Sequence, residues 1–178
     1  MTPAKPAPAM VGSAAAAFIQ RADGRVLLVH HAGTGHWVMP GGKTDDGPFG
    51  GETPRECCER EGREETGVTV TAGRLLVVQW LPIGRNGAHA HNPFACHLFV
   101  FAATIHPDAL DQIQVPEDEL LGWEWWDPAV APVAPGVMDA TNSRLLAAAV
   151  QVSSGAAAPA PAYLEERPRP NHALNEGS

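Results

Sequence analysis

The apolar residues of this chain fall into short runs that are separated by turns containing glycine or proline. The first two runs predict strands at about 13–20 and 25–30, and the Asp23-Gly24 pair between them is a strong hairpin signal. A third apolar piece, Trp37 to Met39, ends at a loop that begins Pro40-Gly41-Gly42. The first quarter of the chain therefore predicts a β-rich region with a glycine-rich loop.

The rest of the pattern predicts further strands and a late helix. Strands are expected over about 68–79, with a glycine turn at Ala72-Gly73, over 91–105, and over 121–126. An Ala- and Leu-rich stretch predicts a helix at 142–152. This order of strands, helix, strands and helix predicts an α/β (α+β) fold, in which helices pack against a mixed β-sheet.

Residues 54–66 carry agreeing signals for a helix between the first strands and the later ones. Thr53 is a suitable N-cap, Pro54 suits the first helical position, and Glu56 completes a capping box. Gly67 is a natural stop, because glycine readily adopts the left-handed conformation just beyond a helix end. The sequence thus predicts a helix of about thirteen residues that is capped at both ends.

Three carboxylates share one side of this predicted helix. At 100° per residue, Glu61, Glu64 and Glu65 lie within a sector of about 100°. One interpretation is that they are simply solvated, as most helical glutamates are. The other is that they bind a divalent cation, because oxygen ligands at i, i+3 and i+4 suit Mg²⁺ or Mn²⁺ and a Pro-Gly-Gly loop lies nearby.

The opposite side of the helix is expected to be neutralised by its own arginines. Glu56 and Arg60, like Glu59 and Arg63, are spaced i,i+4 with glutamate first, which is the favourable order. Only the side with three carboxylates is then predicted to lack internal partners, apart from Arg60 at its edge.

Composition and charge limit the functional classes. The 178 residues fit one domain over 12–152, between a disordered tail at 1–11 and a Pro/Ala-rich, flexible tail at 153–178. A net charge of −8 argues against binding to a nucleic acid polymer. The sequence contains no run of eighteen apolar residues and no secretory signal, and its three cysteines are an odd count, so we expect a cytoplasmic protein without a membrane span.

The order of charged residues around the predicted helix resembles the Nudix hydrolase signature, as found in MutT-like pyrophosphohydrolases. The matching positions have the family spacing and are Glu52, Arg60-Glu61, Glu64-Glu65, Gly67 and the aliphatic Val68. Two positions depart from the pattern. Nine residues separate Gly42 from Glu52 where the family has five, and Gly62 stands where the family has an aliphatic residue.

The resemblance implies a Nudix-type α/β/α sandwich and a metal-dependent hydrolase that cleaves a small-molecule diphosphate, such as a nucleoside diphosphate derivative, with Mg²⁺ or Mn²⁺. Homodimers are common among similar proteins, which leaves a homodimer open. The residues it implies fall into three groups: catalytic Glu61, Arg60 and Glu64; substrate-binding Gly41, Gly42 and Arg85; and metal-binding Glu61, Glu64, Glu65, Glu52 and Glu119. Glu119 is our choice for a further acidic ligand from a distant loop.

Two other activities share this fold. A catalytically silent nucleotide-binding or regulatory domain is slightly favoured by Gly62 and by the long insertion, and disfavoured by the intact glutamates. An isomerase of prenyl diphosphates needs a cysteine in its site, and Cys57 and Cys58 occupy the wrong helix positions for that role. A cleavage assay separates the hydrolase from the binding domain.

Overall fold

The computed structural model of this protein describes residues 11–45, 51–83, 94–155 and 160–165. Within these ranges the chain forms eight strands, two α-helices and one short 3₁₀-helix. In chain order they are β1 (Val11–Ile19), β2 (Val26–His31), β3 (Trp37–Val38), β4 (Gly41–Lys43), α1 (Pro54–Thr66), β5 (Val70–Leu81), β6 (Ala95–Ile105), the 3₁₀-helix (Pro107–Gln112), β7 (Leu120–Trp126), α2 (Ala140–Ser153) and β8 (Ala162–Glu165). None of these helices is long and apolar enough to cross a membrane.

The described strands form two sheets. The larger sheet has the order β4-β1-β6-β5-β8, and the smaller has the order β3-β2-β7. In the larger sheet β1 is parallel to β6, whereas β5 is antiparallel to β6. This arrangement confirms the predicted mixed sheet and the α/β (α+β) class.

The two helices cover opposite faces of the larger sheet, and β1 shows why. Its side chains alternate between two buried clusters, with Ala16 and Phe18 packed in the cluster that contains residues of α2. Ala15, Ala17 and Ile19 pack in the cluster that contains residues of α1. Because successive side chains of a strand point to opposite faces, the sheet lies between the two helices as the middle layer of an α/β/α sandwich.

The predicted hairpin at the N-terminal end is only partly present. The turn at Asp23-Gly24 forms, with Gly24 at a φ of +88° and a hydrogen bond from Arg21 N–H to the Arg25 carbonyl. The flanking strands, however, share one isolated bridge, between Gln20 and Val26, and then join different sheets. The turn residues determined the local chain reversal, whereas packing against two separate layers determined the strand pairing.

Two segments that were predicted to be a loop and a turn belong to strands in the structure. Gly41 and Gly42, expected in a loop, belong to β4, which pairs antiparallel with β1. The glycine turn expected at Ala72-Gly73 lies within the continuous strand β5, where the register shifts between Ala72 and Leu75. A β-bulge absorbs an extra residue without ending a strand, which explains why a glycine in this strand does not produce a turn.

Part of the segment 153–178, expected to be a flexible extension, is ordered as β8. Its four residues pair parallel with β5, with Val77 opposite Ala162. Ala162 and Leu164 also pack against the core cluster that includes α2. Strand β5 would otherwise present unpaired backbone groups at the sheet edge, and β8 satisfies them. Residues 1–10 of the predicted N-terminal tail and residues 166–178 lie outside the described ranges.

Candidate active site

Helix α1 begins and ends as its sequence predicts. Thr53 accepts a hydrogen bond from Glu56 N–H at 3.3 Å, and the Glu56 carboxylate accepts one from Thr53 N–H at 2.9 Å, which completes the capping box. Gly67 closes the helix at a φ of +71°, in the left-handed region. The Thr53 backbone N–H lowers the pKa of Glu56, so this carboxylate serves the helix end.

The predicted ion pairs on the far side of α1 are wrong. Glu56 is occupied by the cap, and the carboxylate of Glu59 accepts a hydrogen bond from the backbone N–H of Ala72 at 2.9 Å. In the described part of the chain neither glutamate pairs with the arginine four residues later. Backbone donors at the helix start and on β5 compete successfully for these carboxylates, because those donors are fixed in place by the fold.

Arg60 is instead the centre of the carboxylate group. It binds Glu52 in a bidentate manner, at 2.8 and 2.9 Å, and its Nη1 donates to Glu61 and to Glu64, each at 2.9 Å. Nη2 also donates to the backbone carbonyl of Lys43 at 2.9 Å. The guanidinium lowers the pKa of Glu52, and the surrounding carboxylates raise the pKa of Arg60 itself. One cation thus organises three of the glutamates of the signature.

Glu65 is the least exposed of the five predicted metal ligands. Its side chain points to the start of β4, where it accepts a hydrogen bond from Gly41 N–H at 2.9 Å, and the residue is only 7% exposed. Burial raises the pKa of Glu65 from its ordinary 4.5 to about 8, and the negative charges of Glu61, Glu119 and Glu64 act in the same direction. The ionised form of a buried carboxylate with three acidic neighbours and one hydrogen bond is disfavoured, because no positive charge compensates it.

The two glycines of β4 leave room for this arrangement. A Cβ at Gly42 would overlap the carboxylate of Glu61, and a Cβ at Gly41 would overlap the backbone of β1 at Ala15 and Ala16. Burial also raises the pKa of Glu61. Gly41 and Gly42 are therefore required by the close approach between β4, β1 and the carboxylates of α1.

Glu119 reaches the same area from a distant turn of the chain. It lies in a turn just before β7, with its N–H bonded to the Pro116 carbonyl and its own carbonyl accepting from Ala32 N–H at 3.0 Å. Its charge is one of those that raise the pKa of Glu65. The structure thus brings Glu119 near the glutamates of α1, as the sequence analysis expects, whereas Arg85 lies outside the described residues.

Asp45 belongs to this group and was not predicted. Its carboxylate lies 3.7 Å from Arg60 Nε, and its N–H donates to Glu52 at 3.2 Å. It falls within the insertion between Gly42 and Glu52, so the family spacing gave no position for it. The sequence signal that could have identified Asp45 is that it is an acidic residue within an insertion next to the signature.

The unusual Gly62 leaves no gap in the packing. A Cβ placed there would lie 2.9 Å from both Cβ and Cγ2 of Val70. Val70 therefore fills the space of the side chain that the family places on the helix, and α1 approaches β5 closely at this point. The departure from the signature is compensated within the chain.

The cysteines of α1 are packing residues. Cys57 and Cys58 are both fully buried, and burial is the main cause that raises the pKa of each thiol to about 12. A thiol with so high a pKa stays protonated and is a poor nucleophile. This finding disfavours the isomerase, which needs a cysteine in its site.

The glutamates fit a divalent cation by their chemistry but are not arranged around one. Across the described ranges, no set of three or more His, Cys, Asp or Glu side chains is positioned to hold a metal ion as it stands. Arg60 already neutralises Glu61 and Glu64, and Gly41 N–H holds Glu65. Carboxylate oxygens are the ligands that Mg²⁺ and Mn²⁺ prefer, and Glu65 is buried with one backbone hydrogen bond beside other carboxylates.

Comparisons with known proteins identify the family. The family model described as NUDIX domain matches residues 10–148. The chain is 31% identical over 124 residues to an uncharacterized Nudix hydrolase of Rhodococcus erythropolis, and this match covers 65% of the chain but only 63% of that protein. An uncharacterized Nudix hydrolase of Bacillus subtilis (strain 168) is 32% identical over 121 residues, which cover 66% of the chain and 70% of that protein.

A solved structure shows the same fold at lower identity. A UDP-X diphosphatase superposes with a TM-score of 0.60 at 22% identity, over 89% of this chain and 69% of the other. The fold of the described residues and the family match over most of the chain agree with each other, and this protein belongs to the Nudix family.

Proposed function

We propose that this protein is a divalent-metal-dependent pyrophosphohydrolase that cleaves a diphosphate linkage in a nucleoside diphosphate derivative or a similar small organic diphosphate. The observation that carries the proposal is the crowding of Glu61, Glu64 and Glu119 around the buried Glu65, whose pKa is raised to about 8. In its ionised form such a group destabilises the fold unless positive charge enters it, and perturbed carboxylates of this kind are typical of functional sites.

The charge of the substrate agrees with this assignment. A diphosphate is anionic, so bare carboxylates would repel it. Mg²⁺ or Mn²⁺, when bound, supplies the positive charge that attracts phosphate oxygens and makes water a better nucleophile. Residues Glu61, Glu64 and Glu65 would hold the metal, with Glu119 as a further ligand and Glu52 supporting them through Arg60.

The chain's own groups then have distinct roles. Arg60 orients Glu61 and Glu64 through its two hydrogen bonds at 2.9 Å. Gly41 and Gly42 let the backbone of β4 come close to the diphosphate, because neither carries a Cβ. Glu61 or Glu64 is the candidate base for the attacking water, since both border the same site.

The test is a cleavage assay with a matched pair of variants. Purified protein is incubated with Mg²⁺ or Mn²⁺ and a panel of nucleotides, dinucleoside polyphosphates, ADP-ribose and nucleotide sugars. We expect cleavage of at least one panel member, and a decrease in kcat of at least about a hundredfold in Glu61→Gln. Glu56→Gln is the control, because it changes an exposed glutamate of the same helix and keeps the capping box.

The outcomes separate the two functions. Full activity in a folded Glu61→Gln variant would remove this residue from the mechanism. Binding of a nucleotide without cleavage across the panel would identify a nucleotide-binding domain instead of a hydrolase. Because Val70 compensates for Gly62, the structure removes one of the two features that favoured such a silent domain.

A further inference from the structure

The side of α1 that faces away from the crowded glutamates is attached to one residue of β5. Ala72 is bonded through both of its backbone groups: its N–H donates to the carboxylate of Glu59 at 2.9 Å, and its carbonyl accepts from Nη1 of Arg55 at 2.5 Å. Arg55 and Glu59 are four residues apart, so their side chains lie on the same side of the helix. Two neighbouring side chains of α1 thus hold a single strand residue.

The position of Ala72 in the sheet explains why its backbone is available to the helix. The register between β5 and β6 shifts directly after Ala72, which interrupts the regular ladder at this point. On the other side of β5, strand β8 pairs only with residues from Val77 to Trp80. The backbone of Ala72 therefore lies at an irregular part of the sheet, where side chains of α1 replace a neighbouring strand as hydrogen-bond partners.

Arg55 is also held by an aromatic ring of the next strand. Its Cζ lies 5.1 Å from the centroid of the Phe101 ring on β6, which is a cation–π contact. Phe101 is buried in the core cluster that contains residues of α1. The guanidinium is thus attached to β5 and to β6 at once. We call this set of contacts, made by Arg55, Glu59, Ala72 and Phe101, the Ala72 clamp.

The Ala72 clamp lies almost opposite the glutamates of the candidate active site. At 100° per residue, Glu61 and Glu64 lie about 160° and about 140° away from Glu59 around the helix axis. A carboxylate lies about 6 Å from this axis, so a rotation of the helix by about 20° would move it by about 2 Å. Apolar packing is non-directional and resists such a rotation weakly, whereas hydrogen bonds have a preferred direction.

We propose that Arg55 and Glu59 are positioning residues for the reaction, which act by fixing the rotation of α1 and thereby the direction of the three glutamates on its other side. As a statement about catalysis this rests on the proposed function. A displacement of about 1 Å at the reacting groups can cost about a hundredfold in rate, so contacts far from the chemistry can control it. Both residues act through the glutamates and touch no reacting atom.

The first experiment measures the orientation of α1 in the metal-free protein. The N–H of Gly41 on β4 donates to the carboxylate of Glu65 at 2.9 Å, so its hydrogen exchange reports whether the helix keeps its rotation. The N–H of Ala17 donates to the carbonyl of Pro40 at 2.7 Å and involves no residue of α1, so it serves as an internal reference. In Glu59→Ala we expect exchange at Gly41 to become at least about tenfold faster, with exchange at Ala17 unchanged.

The second experiment measures steady-state kinetics with Mn²⁺ and a substrate that the wild type cleaves. Glu59→Ala should lower kcat about 10- to 100-fold and change KM less than about threefold, because the Ala72 clamp orients metal ligands and does not contact the substrate. Glu59→Gln keeps a carbonyl oxygen that accepts from Ala72 N–H, and it should retain wild-type kcat and wild-type exchange at Gly41. Arg63→Ala, at an exposed arginine of the same helix, is the control and should change neither.

The outcomes separate the inference from the proposed function. Equal acceleration of Gly41 and Ala17 in Glu59→Ala, or unchanged exchange at Gly41, would overturn the inference, and so would wild-type kcat in a variant with fast exchange at Gly41. A wild-type protein that cleaves no substrate, but whose Gly41 exchange depends on Glu59, would contradict the proposed function and leave the Ala72 clamp as the device that fixes α1. If Glu59→Ala does not fold, Arg55→Ala at the more exposed partner gives the same comparison.

Discussion

Two groups of glutamates lie within fourteen residues of one another and behave in opposite ways. Glu52 and Glu56 have lowered pKa values, because each accepts hydrogen bonds from an arginine or from the backbone. Glu61 and Glu65 have raised pKa values, because they are buried beside other carboxylates. The first group stabilises the loop and the helix start, whereas ionisation of the second group destabilises the fold. The difference shows that sequence spacing alone does not tell which carboxylates serve folding and which serve chemistry.

The largest expected effect that separates the two groups is a change of stability with pH. The pKa of Glu65 is about 8 in the folded protein against an ordinary 4.5, so the folded state holds this proton more tightly than the unfolded state. The resulting stability is fully present below about pH 4.5 and is lost as the pH rises towards 8. The loss is on the order of 4 kcal/mol in the metal-free protein, since each unit of pKa corresponds to about 1.4 kcal/mol.

Urea unfolding at several pH values in the presence of a chelator measures this effect. Glu65→Gln should flatten the dependence over that range, whereas Glu64→Gln, at a more exposed carboxylate, is the control and should keep it. Equal pH slopes in wild type and Glu65→Gln would show that Glu65 does not titrate in this way.

A smaller effect is expected from removing Arg60, the cation that binds Glu61 and Glu64. Arg60→Ala leaves Glu61 and Glu64 without their shared donor, so we expect kcat to fall about 10- to 100-fold, the range seen when residues that orient metal ligands are removed. Arg63→Ala is the control, because Arg63 is exposed on the same helix. Steady-state kinetics at saturating Mn²⁺ measures both variants. Arg60→Ala with wild-type kcat would mean that the glutamates need no such orientation.

Much of the fold and of the helix could be predicted from sequence, because the signals there are local. Thr53, Glu56 and Gly67 specify the ends of α1 through contacts within a few residues, and the structure confirms them. The partner of Glu59 on β5 and the partners of Arg60 outside the helix, Glu52 and the Lys43 carbonyl, could not be predicted, because they are distant from the helix pattern. A favourable i,i+4 spacing stabilises a helix by only a few tenths of a kcal/mol, so tertiary donors readily replace it.

The dependence on tertiary contacts also explains the other differences between the predicted and the observed fold. Strand β8 lies in a Pro/Ala-rich segment, and only the unpaired edge of β5 makes it a strand. The position of Glu119 was predicted from the resemblance and not from any local pattern.

The smallest expected effect concerns the packing that holds α1 against β5. Gly62→Ala should lower the free energy of unfolding by about 1–2 kcal/mol, because the new methyl group collides with Val70 and the overpacking outweighs the gain in helix propensity. The double variant Gly62→Ala/Val70→Ala should be more stable than Val70→Ala alone, because the new methyl group fills part of the space that the valine side chain leaves. Urea unfolding of the four proteins gives the coupling energy. Strictly additive changes in the free energy of unfolding would show that the two side chains do not compete for the same space.

The most direct test of the central claim is anomalous diffraction from crystals soaked in Mn²⁺. If the crowded carboxylates of α1 exist to bind a divalent cation, a manganese peak should appear among Glu61, Glu64 and Glu65. Crystals that show no peak at this place in saturating Mn²⁺ would contradict the account.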